Sequence, residues 1–186
     1  MTLLEIVNGI LPYLGEATVT TTNTQHPTVG LVLQNIATTL ESLLAEGWWF
    51  NTVNTTLYPD IQGYIAAPNN ILAWYSTDDN KLDVRGNKMI DYSTGSELFT
   101  VGTSYLGEYT TLLSVEELPI YAQHVIMYTV ALNTYVQDIG VEKNVEFISQ
   151  QLNHNMLMLR QENLRKQKYK GGNEAIKARY FGALRN

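Results

Sequence analysis

The sequence predicts an α+β protein, in which an antiparallel helical bundle of about four helices carries an inserted small antiparallel β-sheet or sandwich and an extended basic C-terminal tail. Three observations support this prediction. Apolar residues at helical spacing occupy both ends of the chain. The middle has short β-rich runs separated by turn residues. Basic residues are concentrated at the C-terminus, and the 186 residues suffice for one domain with a small insert.

The first two helices begin and end at recognisable sequence signals. Apolar residues recur at helical spacing over residues 3–14, and Gly15 directly follows the last of them. A second apolar face extends over residues 29–44. Pro27 suits the first turn of that helix and Gly47 suits its end. We therefore expect two helices before residue 48.

Helical periodicity disappears between residues 48 and 113. Pro, Gly, Asn and Asp residues separate the runs there, as is typical of short antiparallel strands. Gly86-Asn87 lies in the middle of the stretch 82–92, which predicts a β-hairpin. The predicted strands are 49–57, 71–75, 82–85, 89–92, 97–101 and 109–113.

Helical spacing returns after Ser114. Ser114 and Glu117 fit a capping box. Apolar residues then recur every seven residues over 118–139, Gly140 interrupts the pattern, and a last helix follows over 141–159. The short connection predicts that these two helices form an antiparallel hairpin within a bundle.

The charge divides the chain after residue 159. Residues 1–159 hold four bases and sixteen acids, a net charge of −12, whereas residues 160–186 hold eight bases and two acids, a net charge of +6. We therefore divide the chain into a helical bundle of residues 1–47 and 114–159, an inserted β domain of residues 48–113, and a basic C-terminal arm. An acidic body with a basic end is typical of an interaction tail, although a solvated last helical turn has the same composition.

Bases and aromatic residues are interleaved in the predicted arm. Such a stretch suits binding to nucleic-acid phosphates. It equally suits an acidic groove on a protein partner, with the aromatic residues as anchors, and the acidic body disfavours a polyanion. The candidate interface residues are Arg160, Arg165, Lys166, Lys168, Tyr169, Lys170, Lys177, Arg179, Tyr180, Phe181 and Arg185.

The residues that would support catalysis are not arranged for it. Cysteine is absent, which excludes disulfides, thiolate metal sites and cysteine nucleophiles. His26, His124 and His154 have no second metal ligand three or four residues away. The acidic stretch 78–80 lacks the spacing of a calcium loop. We therefore predict a protein that is not an enzyme and that uses no cofactor and no metal.

The sequence also predicts no membrane binding. The N-terminus lacks the basic region and cleavage site of a signal peptide. The uncharged stretch 17–40 contains five threonines between Thr18 and Thr24, and the stretch 118–137 contains scattered polar residues. Synthesis in the cytoplasm is the expectation.

The segment in which the second helix runs into Gly47-Trp48-Trp49-Phe50-Asn51 resembles the tail tubular protein A family, the head-to-tail adaptors of short-tailed, podovirus-type bacteriophages. A Gly-Trp-x-Phe-Asn segment at this point is characteristic of that family. The resemblance covers about residues 1–140 and continues beyond them as a similar layout of elements. Further matching segments are residues 10–16, Pro59-Asp60, Arg85-Gly86 and Glu117-Leu118-Pro119.

The resemblance implies a structural virion protein made in the host cytoplasm. Its expected partners are further copies of itself in a ring of about twelve subunits, the portal protein above, a nozzle similar to tail tubular protein B below, and a tail fibre protein. DNA is expected to pass through the ring during genome ejection without specific binding. The alternatives are a nucleic-acid-binding module that acts through the basic arm, and a head-completion adaptor of a long-tailed phage.

Overall fold

The computed structural model describes residues 1–23, 25–77, 81–138 and 143–170, together with Gly140. The described chain contains four α-helices and five strands, so the predicted α+β class is confirmed. In chain order they are α1 (Leu3–Ile10), α2 (Pro27–Ala45), β1 (Thr52–Leu57), β2 (Ile71–Ser76), β3 (Leu82–Arg85), β4 (Lys88–Asp91), β5 (Tyr105–Thr111), α3 (Ile120–Asp138) and α4 (Lys143–Lys170).

The first predicted helix is present, but its last turn is tighter than an α-helix. A capping box opens α1, since the Glu5 amide donates to the Thr2 hydroxyl at 3.2 Å and the Thr2 amide donates to the Glu5 carboxylate at 2.7 Å. A 3₁₀ turn over Leu11–Leu14 follows α1. Pro12 has no amide proton, so it cannot donate the next α-helical hydrogen bond. Gly15, with φ of +74°, then ends the segment as predicted.

Helix α2 matches its prediction at both ends. Pro27 is its first residue, and Gly47, with φ of +77°, lies two residues beyond its end. Among the described helices, α2 is the one that is long and apolar enough to cross a membrane. Its inner face belongs to the core of the bundle through Val29, Val32, Ile36, Leu43 and Leu44.

Helix α3 is the centre of the bundle. The predicted capping box of Ser114 and Glu117 is present and caps a 3₁₀ turn over Val115–Glu117, after which α3 begins at Ile120. Helix α3 packs against α1, α2 and α4. The hairpin of α3 and α4 is therefore confirmed, while three residues of its connection lie outside the described part of the chain.

Helix α4 does not end at residue 159. It continues to Lys170, so the predicted boundary is wrong as a structural one and residues 160–170 are helical rather than an extended arm. Arg, Lys, Gln and Leu favour helices, and cations near a helix C-terminus interact favourably with its dipole. The change in charge is therefore no helix stop, and the first strong stop is Gly171-Gly172. The rest of the predicted arm, residues 171–186, lies outside the described residues.

The inserted β domain contains a three-stranded antiparallel sheet of order β1-β5-β2 beside the β3-β4 hairpin. The hairpin turns at Gly86, with φ of +63°, as predicted. The predicted strand 97–101 is wrong. Its Phe99 amide donates to the Gly63 carbonyl at 2.8 Å, but the segment beside it turns back on itself and offers no continuous ladder.

Two cores lie on either side of the junction between the bundle and the β domain. The larger is formed by the helices and includes Trp48. The smaller consists of Ile65, Trp74, Leu82 and Met89, with partly buried neighbours. In it the Trp74 ring lies directly over Gly107 of β5, where a Cβ would overlap the ring.

Candidate functional site

The predicted interface residues occupy the end of α4 and the residues beyond it. Arg160, Arg165 and Lys166 are exposed on the helix. Lys168, Tyr169 and Lys170 are its last three residues. The remaining candidates lie outside the described part of the chain, and these are Lys177, Arg179, Tyr180, Phe181 and Arg185.

The exposed bases of α4 have no acidic partner in the described part of the chain. The ion pairs there join His26 to Glu16 and Lys88 to Glu97. Arg160 therefore carries its charge into solvent, as do the other two exposed bases. Because no acid of the described chain neutralises these charges, this end of α4 is suited to meeting an acidic surface.

The basic end of α4 is fixed to the body of the molecule by contacts at one turn. Leu159 is completely buried in the bundle core. One helical turn further, the Asn163 side-chain oxygen accepts a hydrogen bond of 3.1 Å from the Trp49 amide. The Trp49 ring packs edge-on against Phe50, with ring centroids 4.9 Å apart. The exposed bases therefore project from a helix whose position is set by the segment after α2.

Asn51 joins that same segment to both the bundle and the sheet. Its side-chain amide donates to the Leu44 carbonyl at 2.8 Å and to the Thr111 carbonyl at 3.1 Å. Its side-chain oxygen accepts from the Trp48 amide at 2.8 Å, and Asn51 is completely buried. The Trp48 indole donates to the Leu43 carbonyl at 2.7 Å. The Asn51 side chain thus holds together the end of α2, the turn at Trp48 that follows it, and the end of β5.

The sequence did not reveal this role of Asn51. A single asparagine after an aromatic run is ordinary in a surface turn, and its burial depends on β5, which is some 60 residues away. The resemblance motif of residues 47–51 did include it, but without a physical reason. The structure supplies the reason, because a buried amide must have partners for its donors and its acceptor.

His124 is placed as a structural group. The Asn155 amide donates to the Gln151 carbonyl at 2.8 Å, so its oxygen faces His124. His124 Nδ1 lies 3.2 Å from that oxygen and donates to it. Within the part of the chain that the structure describes, no three His, Asp or Glu side chains are grouped closely enough to hold a metal ion.

The shifted carboxyl groups also have structural causes. The Ser114 amide and hydroxyl donate to the Glu117 carboxylate, which lowers the pKa of Glu117. The Lys88 ammonium donates to Glu97 at 2.8 Å. That hydrogen bond raises the pKa of Lys88 and lowers the pKa of Glu97. Glu117 and Glu97 are both accessible to solvent, and each carboxylate stabilises a turn.

A shallow open cleft lies between β2 and β3. Among its described lining residues, Asp83 supplies the one carboxylate. This described lining offers no second carboxylate, histidine or lysine to act with Asp83 as a general acid–base pair. The lining residues are Trp74, Tyr75, Ser76, Leu82, Asp83 and Tyr92.

The sequence of the chain matches a known family of phage proteins. The family model described as tail tubular protein matches residues 4–169. The chain therefore belongs to the tail tubular protein family. It is 32% identical over 168 residues to tail tubular protein A of Klebsiella phage KP34, and the match covers 89% of each chain. The chain is accordingly a structural protein of a phage tail, located in the virion, and it is not an enzyme.

The comparisons confirm the resemblance that the residues around Gly47 indicated and extend it. That resemblance covered about residues 1–140, whereas the family match continues to residue 169 and so includes nearly all of α4. The end of the match lies within one residue of Lys170, the last residue of α4 in the described part of the chain, and about ten residues beyond the change in charge.

Proposed function

We propose that the chain forms a ring of about twelve copies at the head–tail junction. In this proposal the ring joins the portal vertex to the tail nozzle and continues the DNA channel for genome ejection. A tail fibre protein docks on its outer side. The chain is made in the host cytoplasm and joins the particle there. Membership of the tail tubular protein family and the similarity to tail tubular protein A support this proposal.

The observation that carries the proposal is the separation of charge. Residues 1–159 have a net charge of −12, while Arg160, Arg165 and Lys166 project from α4 without acidic partners in the described chain. Residues 171–186 continue the basic composition. Opposite charges on two parts of one chain favour contacts between copies, or between the chain and an acidic surface of the portal. In this proposal the basic end of the chain, residues 160–186, binds the neighbouring copy or the portal, and we call it the clasp.

The acidic body also suits a channel for DNA. A net charge of −12 on residues 1–159, repeated around a ring, produces a potential that repels phosphates. A channel wall that bound phosphates would retain the genome rather than release it. Replacing acids that face the channel with lysine is therefore expected to slow genome ejection, and unchanged ejection kinetics would contradict this part of the proposal.

Light scattering tests the ring directly. The purified chain, with a mass of 21.0 kDa, is measured alone and after mixing with the portal ring of its phage. We expect roughly twelve copies to bind each portal ring. Failure of the chain to bind the portal ring would contradict the proposal.

The clasp is tested by truncation after Lys170, with the full chain as the control. Truncation after Leu159 is unsuitable because it also removes Asn163 and its bond to Trp49. We expect the shorter chain to fold normally and to bind the portal more weakly. If the full and the truncated chain bind the portal equally well, the residues beyond 170 are not part of the clasp.

The nucleic-acid alternative makes a different prediction. If the basic end binds phosphates, the chain retards duplex DNA at low salt, and its affinity falls steeply as salt rises. We expect no such retardation, because the acidic body opposes it. Retardation that is lost when Arg160, Arg165 and Lys166 are changed to Gln would instead assign the basic end to DNA.

A further inference from the structure

The outer face of α2 carries small and polar side chains and is not covered by the rest of the described chain. Gly30, Gln34, Ala37, Glu41 and Ala45 recur every three or four residues along this face, and each is exposed. Only 28% of the most apolar 18-residue stretch of α2 is buried. The outer face of α2 is thus an exposed surface with few large side chains.

The hydroxyl groups on this face are already satisfied. The Thr38 hydroxyl donates to the Gln34 carbonyl at 3.2 Å, and the Ser42 hydroxyl donates to the Thr38 carbonyl at 2.9 Å. Such bonds within a helix leave no donor that needs water. These two hydroxyl groups can therefore be covered by another surface without the cost of an unsatisfied donor.

The outer face of α4 has the opposite shape. Phe147, Leu157 and Leu164 are 52%, 54% and 54% exposed, although they are large and apolar. With His154 they recur at intervals of seven and three residues, which places them on one stripe of the helix. The stripe from residue 147 to 164 is about 26 Å long, against about 22 Å for the face of α2 from Gly30 to Ala45.

The two faces lie on different sides of the bundle. Helix α3 packs against both α2 and α4, whereas α2 and α4 have at most marginal direct contact. Neither outer face can therefore reach the other within one copy. A contact between them joins one copy to the next in a head-to-tail manner, which is the kind of contact that closes into a ring.

We propose that the outer face of α2 in one copy packs against the outer face of α4 in the next copy. The proposal rests on the ring of the proposed function and names the surfaces that build it. Large side chains of one helix then fill the spaces above Gly30 and Ala37 of the other, as ridges fill grooves. A second copy of the chain is the occupant because its α2 presents a face of similar length that carries small side chains and, at Glu41, a charge opposite to that of Arg160.

Charge sets the relative direction of the two helices. The one charged residue of α2 is Glu41, and Glu46 directly follows the helix. Arg160 and Arg165 flank the apolar stripe in the second half of α4. Opposite charges meet when the two helices run in the same direction, with Glu41 close to residue 160. This register places Ala37 opposite Leu157.

A cysteine pair tests this contact, since the natural chain has no cysteine. The variant A37C/L157C is introduced into the phage, and its tail assemblies are oxidised and separated without reducing agent. Because each copy then carries both halves of the contact, we expect a ladder of bands spaced by one chain mass, 21.0 kDa, and extending beyond the dimer. A pattern that ends at the dimer, or no linked species, overturns the proposal.

Two controls give the ladder its meaning. The variants A37C and L157C alone can link at most two copies, so neither should give a ladder. In the second control, A37C/I61C, the second cysteine lies at position 61 of the β domain instead of position 157. Ile61 is 86% exposed, so a cysteine there is more accessible to oxidation. A ladder from this control equal to that of A37C/L157C would show random collision rather than a defined contact, and it would overturn the proposal.

Charge reversal gives an independent readout. The variant E41R/E46R is expected to lose assembly by at least tenfold in the concentration required, and adding R160E/R165E is expected to restore it. Failure of the second pair to restore assembly contradicts the proposed register. The mass of the assemblies separates the two proposals, because a ring of normal mass without a ladder rejects only the helix contact. The absence of any ring rejects the proposed function as well.

Discussion

The helical bundle and the β domain differ in how they are held together. The described core of the bundle contains 22 buried residues, whereas that of the β domain contains four. A sheet of three strands with so small a core is marginal on its own. The β domain has to obtain part of its stability from the bundle, and one end of its sheet meets the bundle core through Leu72, Leu112 and Leu113.

The two regions also differ in their exposed apolar residues. In the bundle these residues lie on the outer faces of helices, as with Leu157. In the β domain they lie on loops and strands, and Ile61, at 86% exposed, is the extreme case. The loop that presents Ile61 is tied down by Asp60, whose carboxylate accepts from the Gln62 and Tyr64 amides at 2.9 Å. From this difference we infer that the bundle supplies most of the stability. The β domain instead presents exposed apolar side chains on a small core of its own.

The largest effect is expected from the bundle core. Leu44 is completely buried, and Leu44→Ala is expected to lower the free energy of unfolding by about 2–5 kcal/mol. For a chain of this size each kcal/mol lowers Tm by about 2–4 °C. Thermal unfolding followed by circular dichroism measures it. The control Leu106→Ala removes the same atoms from a side chain that is 47% exposed, and it should change Tm far less. Equal effects would contradict the distinction between core and surface.

Asn51→Ala should produce a somewhat smaller loss that affects both regions. It leaves the Trp48 amide without its acceptor and removes one donor each from the Leu44 and Thr111 carbonyls, at a cost of about 2–4 kcal/mol in total. Hydrogen exchange is expected to rise at the end of α2 and in β5 together. The exposed Asn54 of β1 provides the control variant Asn54→Ala, which should leave exchange unchanged. Faster exchange in only one region would show that Asn51 does not couple the two.

Gly107→Ala tests the smaller core alone. The added Cβ overlaps the Trp74 ring, which is 7% exposed and has little room to move. We expect a loss of about 1–3 kcal/mol that is confined to the β domain. Hydrogen exchange should increase in β2 and β5 while α3 stays protected. The control is Thr55→Ala on the neighbouring strand β1. Gly86→Ala would not serve as a control, because Gly86 has a positive φ that alanine adopts only with strain. Loss of protection in α3 would mean that the two regions unfold as one unit.

The smallest effect is expected from acid. The pKa of Glu117 is lowered by its bonds from Ser114, and the pKa of Glu97 is lowered by Lys88. A carboxyl group with a lowered pKa stabilises the folded state at neutral pH, and this stabilisation disappears as pH falls from about 4.3 through the lowered value. Tm should therefore fall slightly over that range. In Glu117→Gln the fall should be smaller than in the natural chain, and an identical acid response would contradict this role of Glu117.

Local signals explain why the helices were predictable. Gly15 and Gly47 end their helices with positive φ, a conformation that glycine adopts without strain, and the capping box at Ser114 needs only four consecutive residues. The hairpin at Gly86 is equally local. These features depend on neighbours in the sequence, so the sequence reports them faithfully.

Features that depend on distant residues were not predictable. The segment around Phe99 has the composition of a strand, but whether a strand forms depends on what lies beside it, which is the turn at Gly63. The change in charge after Leu159 predicts an end of α4 there, but a change in charge does not by itself stop a helix. The placement of the exposed bases of α4, which depends on Asn163 and Trp49 across the molecule, could not be read from spacing.

The position of β5 in the sheet has a consequence for the order in which the chain folds. Among the described strands, β1 and β2 both find their ladder partner in β5, whose last residue is Thr111. During synthesis neither strand can pair until β5 has left the ribosome, and α3, the centre of the bundle, emerges later still. Non-local pairing of this kind slows folding. The chain therefore becomes competent to assemble only after nearly all of it has been made, so assembly on a nascent chain is disfavoured.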